Sequence, residues 1–317
     1  MWLLLACSPE ASVDSAVEDT GLLDQRAELP ELPDDAFLIV TPDYTIEPGD
    51  EVFYCFYGTW TEATAGISYF EWYQSGDYGH HGMWFGTSES ASDYPDGTWE
   101  DCTPVDGEPM RQVIPLIQGT AALGPQHGVM DLPEGIAVRV EEGQRWVMHS
   151  HYVNSGTRPV LVRDVGWGIA VDESEVETWA AGWSVGTAQM SVPPGATHTY
   201  AATCGFPSPV TLLNIAAHMH DNGVAISLDR EREGSTERLL EIEEWLDEYT
   251  DAPPIKPLEE GSVTALESDQ FTTTCTFFNE TDETLEFPSE MCETMGLAYP
   301  LEEPWRCDDS SPAVSGG

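Results

Sequence analysis

Basic side chains are scarce in this chain of 317 residues, where 11 lysines and arginines stand against 57 aspartates and glutamates. The formal net charge is −46 at pH 7, and Lys256 is the only lysine. Nucleic-acid binding draws much of its affinity from basic groups that release counterions from phosphates, so this polyanion is not expected to bind DNA or RNA. The chain also has no basic patch that would draw it to anionic lipid.

Long apolar runs and paired cysteine motifs are absent as well. No stretch approaches the roughly 20 apolar residues of a membrane-spanning helix. No CxxC pair occurs, which argues against a thiolate zinc site or a redox dithiol. No complete GxGxxG motif supports a dinucleotide-binding fold. Apolar residues are nevertheless plentiful, at 41% with 11 tryptophans, so a sizeable core is expected.

The N-terminal segment resembles an export signal. Leu4-Leu5-Ala6-Cys7 is similar to a bacterial lipobox, in which the cysteine is lipidated, and we interpret residues 1–7 as a signal remnant. Residues 8–35 are rich in Ser, Glu, Asp and Pro without periodicity, which predicts a disordered tether. We therefore expect export to the periplasm or the bacterial cell surface, with a lipid anchor at Cys7.

Six further cysteines are well spaced along the chain. An even number in a chain with an export-like start predicts three disulfides and an oxidising compartment. Fifteen pairings are possible, and spacing alone does not choose among them. The six are Cys55, Cys102, Cys204, Cys275, Cys292 and Cys307.

Short aromatic and β-branched segments with Gly/Pro turns predict an all-β protein made of β-sandwiches. The pattern fills both halves, so we predict one sandwich over residues 36–168 and a second over 169–310. Residues 236–249 fit a helical face better than a strand, and their structure is left open. The clearest predicted strands are Ala36–Thr41, Glu51–Tyr57, Ile136–Val140, Arg145–Val153, Pro159–Val162 and Thr197–Ala201.

Six of the eight histidines fall in three close pairs. In a strand, residues i and i+2 point to the same face, so each His-x-His pair is able to direct two imidazoles at one ion. The adjacent pair needs a β-bulge or a twist to converge. Imidazole suits Zn, Cu, Fe and Ni, and spacing alone does not choose zinc over copper. The pairs are His80-His81, His149-x-His151 and His218-x-His220, while His127 and His198 stand alone.

Four stretches, in order, resemble the copper type II, ascorbate-dependent monooxygenases, the family of peptidylglycine α-hydroxylating monooxygenase and dopamine β-monooxygenase. The similarity extends over residues 36–308, nearly the whole mature chain. The stretches are Tyr78–Gly86 with its His-His motif, Leu132–Asn154 ending near His151-Tyr152, Thr211–His220 with its His-x-His motif, and Cys275–Cys292 with Met291.

The resemblance implies two jelly-roll-like antiparallel β-sandwich domains with one copper ion each. It assigns His80, His81 and His151 to an electron-transfer copper. It assigns His218, His220 and Met291 to a second copper, where a small organic or peptide substrate is hydroxylated with O2 and electrons from ascorbate. By the same resemblance the disulfides are Cys55–Cys102, Cys204–Cys307 and Cys275–Cys292, and His149 is a neighbour of the first site.

The chain departs from the family at its substrate positions. The resemblance would place a carboxylate-binding arginine at Ala216 and an assisting tyrosine at Met295, and Gly82 stands where a methionine is common. A peptide with a C-terminal glycine is therefore not expected as substrate. Two alternatives stay open: a surface copper-binding lipoprotein without turnover, and an interaction protein in which the histidines are incidental.

Overall fold

The computed structural model describes residues 21–75, 78–87, 90–102, 113–117, 127–246, 248–251, 253–287 and 289–308. The predicted signal remnant with Cys7 lies outside the described residues, as does the predicted tether up to residue 20. Nearly all of the regular secondary structure in the described chain is β-strand, which confirms the predicted all-β sandwich class. No helix in the described ranges is long and apolar enough to cross a membrane.

The strands of the N-terminal half include all those predicted there. The Pro48-Gly49 turn between two of them has the positive φ, 87°, that glycine tolerates best. The strands are β1 Leu23–Asp24, β2 Ala36–Val40, β3 Tyr44–Ile46, β4 Glu51–Thr59, β5 Ala65–Tyr73, β6 Gly79–Thr87, β7 Trp99–Asp101, β8 Val113–Ile117, β9 His127–Asp131, β10 Ile136–Val140, β11 Arg145–Val153, β12 Val160–Val162 and β13 Val165–Asp172.

The C-terminal half continues the pattern, with a short 3₁₀ helix at Glu173–Glu175 and one helical turn, α1, at Glu248–Asp251. Its strands are β14 Thr178–Thr187, β15 Ser191–Val192, β16 Thr197–Cys204, β17 Val210–Leu212, β18 Asn214–His218, β19 Gly223–Arg232, β20 Ser235–Ile242, β21 Ile255–Pro257, β22 Thr264–Ala265, β23 Gln270–Phe278, β24 Leu285–Glu286, β25 Cys292–Tyr299 and β26 Trp305–Asp308.

The sheets pack as layers around separate apolar cores. A five-stranded sheet in the order β7-β4-β11-β6-β8 covers one side of the N-terminal half. A four-stranded sheet in the order β16-β23-β19-β20 covers the C-terminal half. The first core centres on Phe70, Trp72 and Trp84, and the second on Trp183 and Phe271. Alternation of buried and exposed residues along β23 shows how one strand face supplies such a core.

One large sheet runs through both halves. Its order is β2-β13-β5-β10-β14-β25-β17-β22, and β10 pairs in parallel with β14, with Ile136 opposite Thr178 and Val138 opposite Ala180. Residue 168, the predicted junction, lies inside β13, which pairs with β2 and β5. The division into two jelly-roll-like domains stays a prediction.

The described chain has three disulfides, and their pairing is the one that the resemblance implies. Such bridges are typical of proteins that mature in an oxidising compartment, and they indicate an exported protein. Cys55–Cys102 joins β4 to the end of β7, Cys204–Cys307 joins β16 to β26, and Cys275–Cys292 joins β23 to β25.

The predicted tether is shorter than the sequence indicates. Residues 23 and 24 form β1, which pairs in parallel with β12. The N–H of Ala27 donates to the carbonyl of Arg163, and Arg26 forms ion pairs with Asp24 and Asp43. Backbone pairing and these ion pairs therefore hold residues from Leu23 onward against the body of the protein.

The first half of the segment left open at residues 236–249 belongs to strand β20, and its last two residues begin the helical turn α1. β20 pairs with β19, and the register shifts where Leu240 faces Leu228 but Arg238 faces Asp229. Leu239 is the extra residue of this β-bulge, and both Leu239 and Leu240 are buried. Two consecutive inward leucines break the strand alternation and produce the helix-like spacing of the sequence.

Candidate metal centres

The first candidate centre lies where β6 and β11 pair. His81 and His151 are Cα partners across the two strands, and the register shifts at the next position, where Tyr152 faces Gly79. His80 is thus the extra residue of a β-bulge, the irregularity that adjacent histidines require in order to converge. The side chains of His80 and His81 lie outside what the structure describes.

His151 is fully buried and tightly fixed. Its Nε2 lies 3.0 Å from Oε1 of Glu51, and its ring stacks on Phe53 with centroids 3.9 Å apart and planes 5° apart. Because Glu51 accepts a hydrogen bond at Nε2, Nδ1 is the nitrogen that would bind an ion. A carboxylate behind an imidazole ligand is a common arrangement that fixes the ring and its tautomer.

His149, the neighbour of this centre, lies on the same strand face as His151. Its backbone pairs with Cys55 on one side and Met83 on the other. Burial alone lowers the pKa of His149 to about 4, so the ring is neutral at physiological pH.

Gly82, where the resemblance would place a methionine, is explained by packing. A Cβ at this position would lie 2.2 Å from Nε1 of Trp72, whose side chain is fully buried in the first core. No side chain fits between β6 and this indole without moving it. The packing of Trp72 therefore explains why the residue after the His-His motif is glycine.

The second candidate centre is built by His218 and His220, at the end of β18. Their Nε2 atoms lie 3.2 Å apart. Two imidazole nitrogens that bind one ion at about 2.0 Å each, with a tetrahedral angle, are separated by about 3.3 Å. The pair therefore has the geometry of two ligands on one metal ion.

The tautomer of His220 supports this arrangement. Its Nδ1 lies 3.0 Å from the carbonyl oxygen of Ser289. A carbonyl only accepts, so Nδ1 carries the proton and Nε2 presents its lone pair towards His218. Burial, and then the charge of His220, lower the pKa of His218 to about 3, which keeps that ring neutral and able to bind a cation.

A buried carboxylate fixes the turn after this pair. Glu290 is fully buried, and its Oε2 accepts from the N–H of His220 at 3.0 Å. Its Oε1 accepts from the backbone and side-chain amides of Asn222 at 2.8 and 3.0 Å. Burial raises the pKa of the Glu290 carboxyl against the lowering effect of these donors.

Met291 lies in the same corner. It follows Glu290 directly and precedes by two residues Glu293, the Cα partner of His218. The Cys275–Cys292 disulfide anchors the next residue. Two imidazoles and a thioether form a soft donor set that fits Cu(I) and Cu(II) better than Mg or Ca.

The substrate positions also meet in this corner. Ala216 and Met295 are Cα partners on β18 and β25. Ala216 is buried, and neither residue carries a charge that would bind a carboxylate. The two positions at which the chain departs from the family pattern are therefore neighbours in the structure.

No family model matches the chain, and no curated protein matches it. One solved structure to which it is similar is a "putative secreted protein" from Eubacterium rectale. That likeness covers 79% of this chain and 70% of the other, at 6% identity and a TM-score of 0.20.

Glu51, Ser289 and Glu290 are the residues of these centres that sequence reasoning missed. Ser289 contributes a backbone carbonyl, which leaves no trace in the side-chain pattern. Among 57 acidic residues nothing singles out two carboxylates, although Glu290 does stand next to the candidate ligand Met291.

Proposed function

We propose that this exported protein is a copper-dependent monooxygenase that hydroxylates a C–H bond of a small organic or peptide substrate with O2 and an ascorbate-like reductant. The observation that supports this most is the 3.2 Å separation of the His218 and His220 Nε2 atoms. The proposal includes anchoring through Cys7 at the periplasmic membrane or cell surface.

The candidate ligands form two groups, one for each proposed copper ion. His218, His220 and Met291 would hold one ion, and His80, His81 and His151 the other. Copper, when bound, supplies one-electron redox chemistry towards oxygen. The carbonyl of Ser289 orients His220, and Glu290 holds the turn so that both imidazoles keep one geometry. Glu51 does the same for His151.

The substrate would bind without a carboxylate anchor. Neither Ala216 nor Met295 carries a charge that would bind a carboxylate, and a net charge of −46 repels polyanions. We therefore propose a neutral or cationic organic molecule, or a peptide held away from its C-terminus. The same apolar change motivates the alternative, a surface copper-binding lipoprotein without turnover.

The test is copper quantitation with electron paramagnetic resonance before and after ascorbate, followed by oxygen uptake. We expect two coppers per chain that lose their Cu(II) signal with ascorbate and regain it in air. Oxygen uptake should be abolished in His218→Ala and in Met291→Ala. Retained uptake in both variants would refute the enzyme, and two bound coppers with no product from a broad substrate screen would favour the alternative.

A further inference from the structure

A second set of soft donors lies in the five-stranded sheet, beside the first candidate centre. Cys55, His149 and Met83 occupy one row across β4, β11 and β6, because His149 is the Cα partner of both others. Residues opposite one another in such a row share a sheet face. Cys102 joins them through its disulfide to Cys55.

The donor atoms are already close. The sulfur atoms of Cys55 and Cys102 and a ring nitrogen of His149 lie within 4.8 Å of one another. Ligands at about 2.0 to 2.3 Å from one ion are about 3.3 to 3.8 Å apart, so small rotations suffice to bring these three together. Met83 packs against the same apolar cluster as Cys55, together with Phe85.

The state of the Cys55–Cys102 disulfide determines whether this set of donors is able to bind a cation. Bonded sulfurs are poor ligands, whereas two thiolates, an imidazole and a thioether prefer a soft cation such as Cu(I). Reduction by a dithiol transfers two electrons and two protons to the Cys55–Cys102 bond and oxidises the dithiol to its own disulfide. Binding of the cation then releases the two thiol protons.

We infer that Cys55, Cys102 and His149, with Met83 as a fourth donor, form a thiol-gated Cu(I) site that is closed while the disulfide is intact. The site lies two residues along the same strand face from His151, about 7 Å away. Phe53 packs against both rings, with centroids 5.2 Å from His149 and 3.9 Å from His151. The inferred site is therefore separate from the two proposed histidine centres and does not depend on them.

The experiment compares oxidised protein with protein that is reduced by a dithiol and desalted without oxygen. Cu(I) is titrated against a coloured chelator, and the thiols are then alkylated and mapped by mass spectrometry. We expect one additional Cu(I) per reduced chain, with Cys55 and Cys102 protected from alkylation while the other four disulfide cysteines react as they do without copper. In His149→Phe, which keeps an aromatic ring beside Phe53, affinity should fall by at least about tenfold.

A second variant avoids reduction of the other disulfides. In Cys102→Ser the thiol of Cys55 is free in otherwise oxidised protein, which should bind one Cu(I) more than the native oxidised protein, with an affinity that falls by at least about tenfold when His149→Phe is added. No additional Cu(I), protection at other cysteines, or unchanged affinity in the His149→Phe backgrounds would overturn the inference. The proposed histidine centres hold no thiol and are measured in the oxidised protein, so their failure is seen separately.

Discussion

The Nε2 atoms of His218 and His220 lie 3.2 Å apart, and Nδ1 of His220 donates a hydrogen bond to the backbone carbonyl of Ser289. Loss of either ring should therefore empty one centre and spare the other. We expect the native protein to retain the two proposed coppers per chain and His220→Ala to retain one, as measured by metal analysis after dialysis. His198→Ala, which removes a half-buried lone histidine, is the control and should retain both.

Glu51 fixes His151 from outside, because its exposed carboxylate accepts from a fully buried ring. Glu51→Gln keeps the shape but weakens the charge-assisted hydrogen bond. We expect copper affinity at the first centre to fall by about tenfold, at the lower end of the range for such partners. Competition titration measures this, with the exposed Glu62→Gln as control. Equal affinities in the two variants would contradict the role given to Glu51.

Glu290 accepts three hydrogen bonds in a fully buried position. Glu290→Gln would place an amide donor against backbone donors, at a cost of about 1–3 kcal/mol in the free energy of unfolding. Urea denaturation measures this loss, and the second centre should also bind copper more weakly. Glu286→Gln, exposed and four residues earlier, should change neither quantity.

Asp164 gives the protein a pH dependence of opposite sign to that of an ordinary paired carboxylate. Burial raises the pKa of this fully buried carboxyl from 3.8 to about 6. The native state thus binds the proton more tightly than the unfolded chain, and the stabilisation is complete below pH 3.8 and lost as the pH rises through about 6.

Compared with Asp164→Asn, the native protein should lose on the order of 3 kcal/mol of unfolding free energy between about pH 4 and pH 7. Urea denaturation of both proteins over this range isolates the contribution of Asp164 from those of other carboxylates. If the stability of the native protein stays constant relative to that of Asp164→Asn, or rises relative to it with increasing pH, the sign is contradicted.

Gly82 is constrained by Trp72. Gly82→Ala should destabilise the fold by about 1–3 kcal/mol through overpacking. Trp72→Phe removes the indole nitrogen that the new methyl would meet, so the double variant should cost less than the sum of the two single variants. Strict additivity in denaturation experiments would show that the two residues do not compete for this space.

Local patterns were sufficient for most strands, because alternation and Pro-Gly turns are properties of neighbouring residues. Ile136–Val140 and Arg145–Val153 were predicted with the bounds that the structure has. The carboxylates of Glu51 and Glu290 were not predictable, because their partners lie 100 and 70 residues away in the chain.

The β-bulges had opposite effects on prediction. The sequence called for a bulge or a twist at His80 and His81, because adjacent histidines in a regular strand diverge, and the structure has a bulge there. The bulge at Leu239 prevented the prediction of strand β20, because it turns two successive leucines inward and no local sequence feature indicates a bulge there. A bulge is thus foreseeable only where the chemistry of the residues demands one.

Strand β14 belongs to both halves of the molecule. Its first residues pair with β10 in the N-terminal half, and Thr187 at its other end faces Cys292, one residue from Met291. A load applied to the sheet of one half is therefore transmitted along a single strand into the corner that holds His218 and His220. Because this sheet is continuous through both halves, we expect them to lose their structure together rather than in succession.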